Sequence, residues 1–170
     1  MKVSRWVIIL GCAAALGLTG CRSAVHVAGP SASARPPATT RCRTSQLAAA
    51  FTDETSGILH KELTLVLTNR SAHTCYVNGF AGLGFLDSSG HLLSTHLAHV
   101  NYPPHAAVIL HPGGSARALL DWTAIKTRLV PYLHPSVVDV TPPGQHTHLA
   151  AKAWTFGPIA GGILATSPFR

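Results

Sequence analysis

A chain of 170 residues with 13 Lys and Arg against 6 Asp and Glu carries a formal charge of +7, and 46% of it is apolar. That is long enough for one domain with a real core, but the cations stand singly, as at Arg70, Arg117 and Lys152, without the basic stripe of a nucleic-acid binder. Six acids are few for the carboxylate pair of a glycoside hydrolase, and there is no Gly-x-Ser-x-Gly elbow, no His-Glu-x-x-His zinc helix and no phosphate-cradling glycine loop.

The first element is an apolar run, Trp6 to Leu18, behind Lys2 and Arg5. It is shorter than the roughly 20 apolar residues that cross a hydrocarbon core, so it reads as a cleaved secretory signal, residues 1–20. Leu18-Thr19-Gly20-Cys21 closes it in the pattern of a bacterial lipobox, in which the Cys21 thiol is lipidated and cleavage falls before it. Acyl chains at about 0.8 kcal/mol per buried methylene would then hold the chain at the cell membrane, on its extracytoplasmic face, without a transmembrane helix. Removal of residues 1–20 takes away Lys2 and Arg5 and leaves a formal charge of +5. Arg22, Arg35, Arg41 and Arg43, close to the anchor, are the cations best placed for anionic headgroups or acidic wall polymers, although simple solubility is the favoured role for the excess charge.

Residues 21–41 are drawn mainly from Ala, Ser, Pro, Thr and Gly, with Pro30, Pro36 and Pro37. So little apolar surface predicts a disordered linker, spanning roughly 25 Å as a coil. Of the four cysteines, Cys12 leaves with the signal and Cys21 is consumed as a thioether. Cys42 and Cys75 remain, an even pair that reads as a disulfide in an oxidising compartment.

From Arg43 onward the apolar period is two. His60 to Asn69 places Leu63, Leu65 and Leu67 on one face, with Val66 out of step. Cys75 to Val77, Gly82 to Leu86 and part of His91 to Val100 are further strands, the last two separated by the turn cluster Asp87-Ser88-Ser89-Gly90. Ala106 to Leu110 and Ser115 to Thr123 read as a hairpin about Pro112-Gly113-Gly114. Ala116, Ala118, Leu120 and Trp122 form its core face, and Arg117 and Asp121 take the other. Ala124 to Leu133 is the one stretch that suits a short helix. Val137 to Thr141, His148 to Trp154 and Ile163 to Thr166 complete the set, the last after Gly161-Gly162. About seven to nine strands in residues 42–170 predict an all-β, immunoglobulin-like antiparallel β-sandwich.

The ordered series Cys42, Leu65-Val66-Leu67-Thr68-Asn69, Cys75-Tyr76-Val77-Asn78-Gly79-Phe80, Leu86-Asp87 with Gly90, His111-Pro112-Gly113-Gly114-Ser115-Ala116 to Trp122, and Val140-Thr141-Pro142-Pro143-Gly144 resembles the domain-of-unknown-function 4232 family. The resemblance covers residues 42 to 168 and implies an exported or lipid-anchored β-rich domain of an actinobacterium, with no activity attached. Two departures stand out. Ala81 occupies a place usually held by proline, and a second cysteine pair in the last third is missing, so the C-terminal strands must be held by packing of Trp154, Phe156 and Ile159.

Eleven histidines are the main chemical resource. His99, His105, His146 and His148 are the candidate ligands for zinc or copper, the last two sharing a face if they lie on a strand. Against this stand the lack of zinc-ligand spacing with cysteine and the lack of methionine after residue 1, which favour scattered surface histidines. Between about pH 7.5 and about 5.5 such imidazoles add positive charge and strengthen adhesion to anionic surfaces. A cysteine enzyme is the other alternative. Ser71-Ala72-His73-Thr74-Cys75 is similar to the Ser-His-Gly-Cys nucleophile of L,D-transpeptidases, although Thr74 replaces the glycine and Cys42 competes for the thiol. The reading favoured by the whole is a non-catalytic binding or structural module of the cell envelope with no cofactor. It would contact the membrane, envelope proteins or wall polymers through loops such as Asp87 to Gly90 and His99 to His105.

Overall fold

The computed structural model describes residues 39–125 and 128–170; the expected signal at 1–20, Cys21 and residues 22–38 of the expected linker lie outside them. Thirteen strands are found among the described residues. They are β1 (Thr40–Arg41), β2 (Leu47–Ser56), β3 (His60–Asn69), β4 (Cys75–Val77), β5 (Gly82–Leu86), β6 (His96–His99), β7 (Val108–Leu110), β8 (Ser115–Thr123), β9 (Tyr132–Leu133), β10 (Val137–Thr141), β11 (Lys152–Ala153), β12 (Ile159–Ala160) and β13 (Ile163–Thr166). Four of these, β1, β9, β11 and β12, have only two residues each, leaving nine longer strands.

The largest sheet has five strands in the order β2-β3-β8-β13-β6, antiparallel except for the β13–β6 pair. Its inner face follows from alternation, strict in β8 and broken in β3 only where Val66 is buried as well. In β8, Ala116, Ala118, Leu120 and Trp122 are buried while Ser115, Arg117 and Leu119 are exposed, and in β3, Leu63, Leu65 and Leu67 are fully buried. A second sheet, β11-β10-β5, contributes Val138, Val140 and Phe85 to the same core. The result is a β-sandwich. The succession β2-β3-β8 in one sheet and β5-β10-β11 in the other is the A-B-E and C-F-G partition of an immunoglobulin-like fold, with β13 inserted beside β8.

Aromatic packing gathers the C-terminal segments. The Trp154 ring lies 4.9 Å from Phe85, 5.2 Å from Trp122 and 5.1 Å from Phe156, in edge-on or tilted contacts. Both buried indoles keep a partner: Trp154 Nε1 donates to the Gly157 carbonyl (2.7 Å) and Trp122 Nε1 to that of Pro158 (3.2 Å). Ile159 is fully buried in the same core, so the three residues expected to hold this region do so.

The expected hairpin of Ala106 to Leu110 with Ser115 to Thr123 does not form. β7 pairs with β4, in a small sheet ordered β1-β4-β7, while β8 pairs with β3. Pro112-Gly113-Gly114 therefore carries the chain from one sheet to another. Asn69, buried at the end of β3, fastens this crossing. Its N–H donates to the Gly114 carbonyl, its carbonyl accepts from Gly113 N–H, and its Nδ2 donates to the carbonyls of Leu110 (3.0 Å) and His73 (2.8 Å). Its Oδ1 accepts from the Ser71 amide and hydroxyl, so the side chain is fully satisfied.

The helix expected at Ala124 to Leu133 is also absent from the described residues. Pro131 lacks an N–H and disfavours helical backbone at Val130. Tyr132 and Leu133 instead pair with Ala160 and Ile159, and the Tyr132 hydroxyl donates to the Ala124 carbonyl. The strand expected over His148 to Trp154 shrinks to Lys152–Ala153, and that over His91 to Val100 to His96–His99. Gly161 and Gly162, both at positive φ, make the tight turn into β13.

Candidate functional site: a cleft on the outer sheet face

The outer face of the five-stranded sheet carries an open cleft of about 290 Å³. Its floor comes from the polar side of two strands, where Leu119 of β8 and Ala165 of β13 interrupt the charged sequence with apolar surface. Val100 and Tyr102, just beyond β6, form a wall, and Tyr102 is 83% exposed. Asp121 and Arg170 supply its charge. Asp121 is the cross-strand partner of Ala165, whereas the Arg170 backbone exchanges two hydrogen bonds with Arg117 (2.8 and 3.0 Å). Four residue steps along β8 run from Arg117 to Asp121, so the two charges bracket the apolar floor over about 13 Å.

Asp121 sits in a carboxylate-rich row. Glu62 lies directly across the β3–β8 pair, and His60 Nδ1 is 3.7 Å from Asp121 Oδ1. Nearby, Asp53 occupies a bulge in β2 at φ 56°, a conformation aspartate tolerates, and its carboxylate meets Arg117 Nη1 at 3.5 Å.

The loop between β6 and β7 thus forms a wall of the cleft through Val100 and Tyr102. It rests on Phe80. His99 stacks on that ring at 4.3 Å with planes 2° apart, His105 meets it edge-on at 6.2 Å, and His105 Nδ1 lies 2.8 Å from Asn78 Oδ1. The histidines here are props for a loop. His146 and His148 fall in the turn after β10, where His148 Nε2 is 4.0 Å from Asp139, and the strand that was to align them is not there. All ten described histidines are exposed, and no group of three or more His, Cys, Asp or Glu able to hold a metal ion occurs among the described residues.

The Asp87 loop is closed on itself. The Asp87 carboxylate accepts from the Ser89 amide (2.8 Å) and the His91 amide (2.9 Å), and the His91 hydrogen bond is the main reason its pKa is lowered. Cys75 is bonded to Cys42, with Cα atoms 4.9 Å apart and both residues buried. Of the arginines expected near an anchor, Arg41 is turned onto the domain. It lies over Tyr76 and donates to the carbonyls of Asn78 and Pro143, while Arg43 is exposed.

The profile of the family described as "domain of unknown function (DUF4232)" matches residues 42–170. The chain belongs to that family. No curated protein and no solved structure matches it. Its DUF4232 domain begins at Cys42, so the match opens on the disulfide and runs through the cleft to Arg170. The sequence alone pointed to the His99 to His105 wall but missed Leu119, Ala165 and Arg170. The one available signal was Leu119, a large apolar residue on the otherwise polar face between Arg117 and Asp121.

Proposed function

We propose that the chain is a lipid-anchored, extracytoplasmic module of an actinobacterial cell envelope, acting by binding rather than by catalysis. The observation that carries the anchor is Leu18-Thr19-Gly20-Cys21 at the end of a short apolar run behind Lys2 and Arg5. The disulfide supports an oxidising compartment and removes the one thiol that a cysteine mechanism would use. Among the described residues no helix is long and apolar enough to cross a membrane, so an acyl group on Cys21 would be what holds the domain.

The binding surface in this reading is the outer cleft, which suits an extended ligand with an apolar centre. Envelope proteins or anionic wall polymers are its partners, and nucleic acid is not. Two measurements test the reading. Intact mass of membrane-extracted protein is expected to show loss of residues 1–20 and a diacylglycerol adduct, and Cys21→Ser should release the chain. An unmodified chain that stays in the membrane would refute the anchor. A photo-crosslinking residue in place of Tyr102 should capture a discrete partner in native membranes, lost in Leu119→Arg; capture unchanged by Leu119→Arg would remove the cleft from the proposal.

A further inference from the structure

The end of the sandwich opposite Asn69 carries the two most exposed large apolar side chains among the described residues, Ile58 and Leu129, with three further exposed ones beside them. Ile58 is 95% exposed in the β2–β3 turn with Leu59 beside it, Leu129 is 93% exposed after β8, Val130 follows, and Ile163 is 59% exposed at the start of β13. The backbone makes these one rim. Ala124 N–H donates to the Leu59 carbonyl, the Tyr132 hydroxyl donates to the Ala124 carbonyl, and Gly161 N–H donates to the Pro131 carbonyl. Gly161 also lies between Val130 and Ile163, with both side chains within 4 Å of the position of an added Cβ.

On the β2–β3 side of the rim Glu54 is paired with Lys61 (2.6 Å), whereas the segment that carries Leu129 and Val130 is charged with one sign only. Between Asp121 and Asp139 the chain has no acid, and Arg128, exposed, immediately precedes Leu129-Val130. Side chains so fully exposed project outward as tips, and apolar tips flanked by cations suit the boundary between anionic headgroups and acyl chains.

We infer that this end of the DUF4232 domain docks on an anionic lipid surface, with Ile58 and Leu129 entering between the headgroups and Arg128 pairing with phosphate. The inference rests on the anchored reading for the nearness of a bilayer and adds to it a second, non-covalent contact. The reach allows both. Residues 22–38 can extend to about 60 Å, against about 30 Å for the length of β3. An acylated Cys21 therefore does not keep the far end of the sheet from reaching the same membrane.

The test uses the full chain as its host processes it, in vesicles of two parts zwitterionic to one part anionic phospholipid. An environment-sensitive fluorophore is attached at Ile58→Cys, and in a second preparation at His111→Cys at the opposite end. The label at 58 is expected to shift to the blue and to be quenched severalfold by nitroxide-bearing lipid, while that at 111 stays in water. Leu129→Ser with Val130→Ser should cut the quenching at 58 at least threefold. A label at 58 that remains in water on a membrane-bound chain overturns the inference. So does a blue shift that appears without vesicles and grows with protein concentration, which would mark a self-association surface. Loss of the acyl adduct with vesicle-dependent quenching intact would instead remove the anchor and leave the docking surface.

Discussion

At the scale of single residues, the crossing between sheets depends on one amide. Asn69 is fully buried, with its Nδ2 bound to two carbonyls and its Oδ1 to two donors. Asn69→Asp keeps the shape but points a carboxylate at the carbonyls of Leu110 and His73. We expect a loss of about 3 kcal/mol or more at neutral pH in urea unfolding, partly recovered at acid pH where the group is protonated. A loss within 1 kcal/mol of zero would show that the network relaxes around it. Asp87 gives the opposite sign. Its folded pKa is lowered, chiefly by the His91 amide, so its turn is stabilised above the unfolded aspartate pKa of about 3.9 and that contribution fades as pH falls through the lower folded value. The Ser89 and His91 amide resonances should therefore titrate with a midpoint below that of a free aspartate. A midpoint at or above the free value would contradict the hydrogen-bonded turn.

At the scale of elements, the boundaries of β3, β4, β5, β8, β10 and β13 were legible in the sequence because each shows period-two patterning bounded by turn residues. What was not legible was partner choice. Val108 to Leu110 and Ser115 to Thr123 look like hairpin arms, but the pairing of Leu110 with Cys75 and of Ser115 with Thr68 is decided by contacts far apart in sequence. β2 went unread because Ala48-Ala49-Ala50 and Asp53-Glu54 carry no strand signature, and only pairing with β3 from Leu47 to Ser56 makes them one. The cleft suffers from the same limit, since it needs β8, β13 and the segment after β6 side by side. Gly162 shows how tightly these elements meet. At φ 68°, an added Cβ would fall 2.6 Å from the Ser94 carbonyl oxygen. Gly162→Ala is expected to cost about 2 kcal/mol or more, measured by denaturant midpoint, and a neutral result would mean that the turn into β13 yields.

For the whole molecule, one bridge closes the beginning of the domain. Cys42 and Cys75 are 33 residues apart, so on the chain-entropy account their bond contributes about 3.5 to 4 kcal/mol by restricting the unfolded chain. Reduction and alkylation should lower stability by about that amount in urea while leaving the aromatic cluster around Trp154 native in its near-ultraviolet signal. Loss of that signal under native conditions would mean that the bridge is needed for folding itself. The sandwich class, the disulfide and the buried Trp122 all followed from local pattern and cysteine count. The proposed docking rim did not, because Ile58, Leu129 and Ile163 come to one end of the sandwich only when three segments are folded together.

The same bridge has a mechanical consequence. Cys42 stands one residue beyond β1, and the loop it closes contains all of β2 and β3. Tension applied upstream passes through the sulfur atoms directly into β4, and the long β2–β3 pair lies off the load path. A domain tugged by its leading end first loses the two-residue β1–β4 pairing and is then stretched against the short β4–β7 contact. Under reducing conditions the same tug reaches β2, and a single-molecule trace would gain about 120 Å of slack from the 33 residues that oxidation keeps folded away from the force.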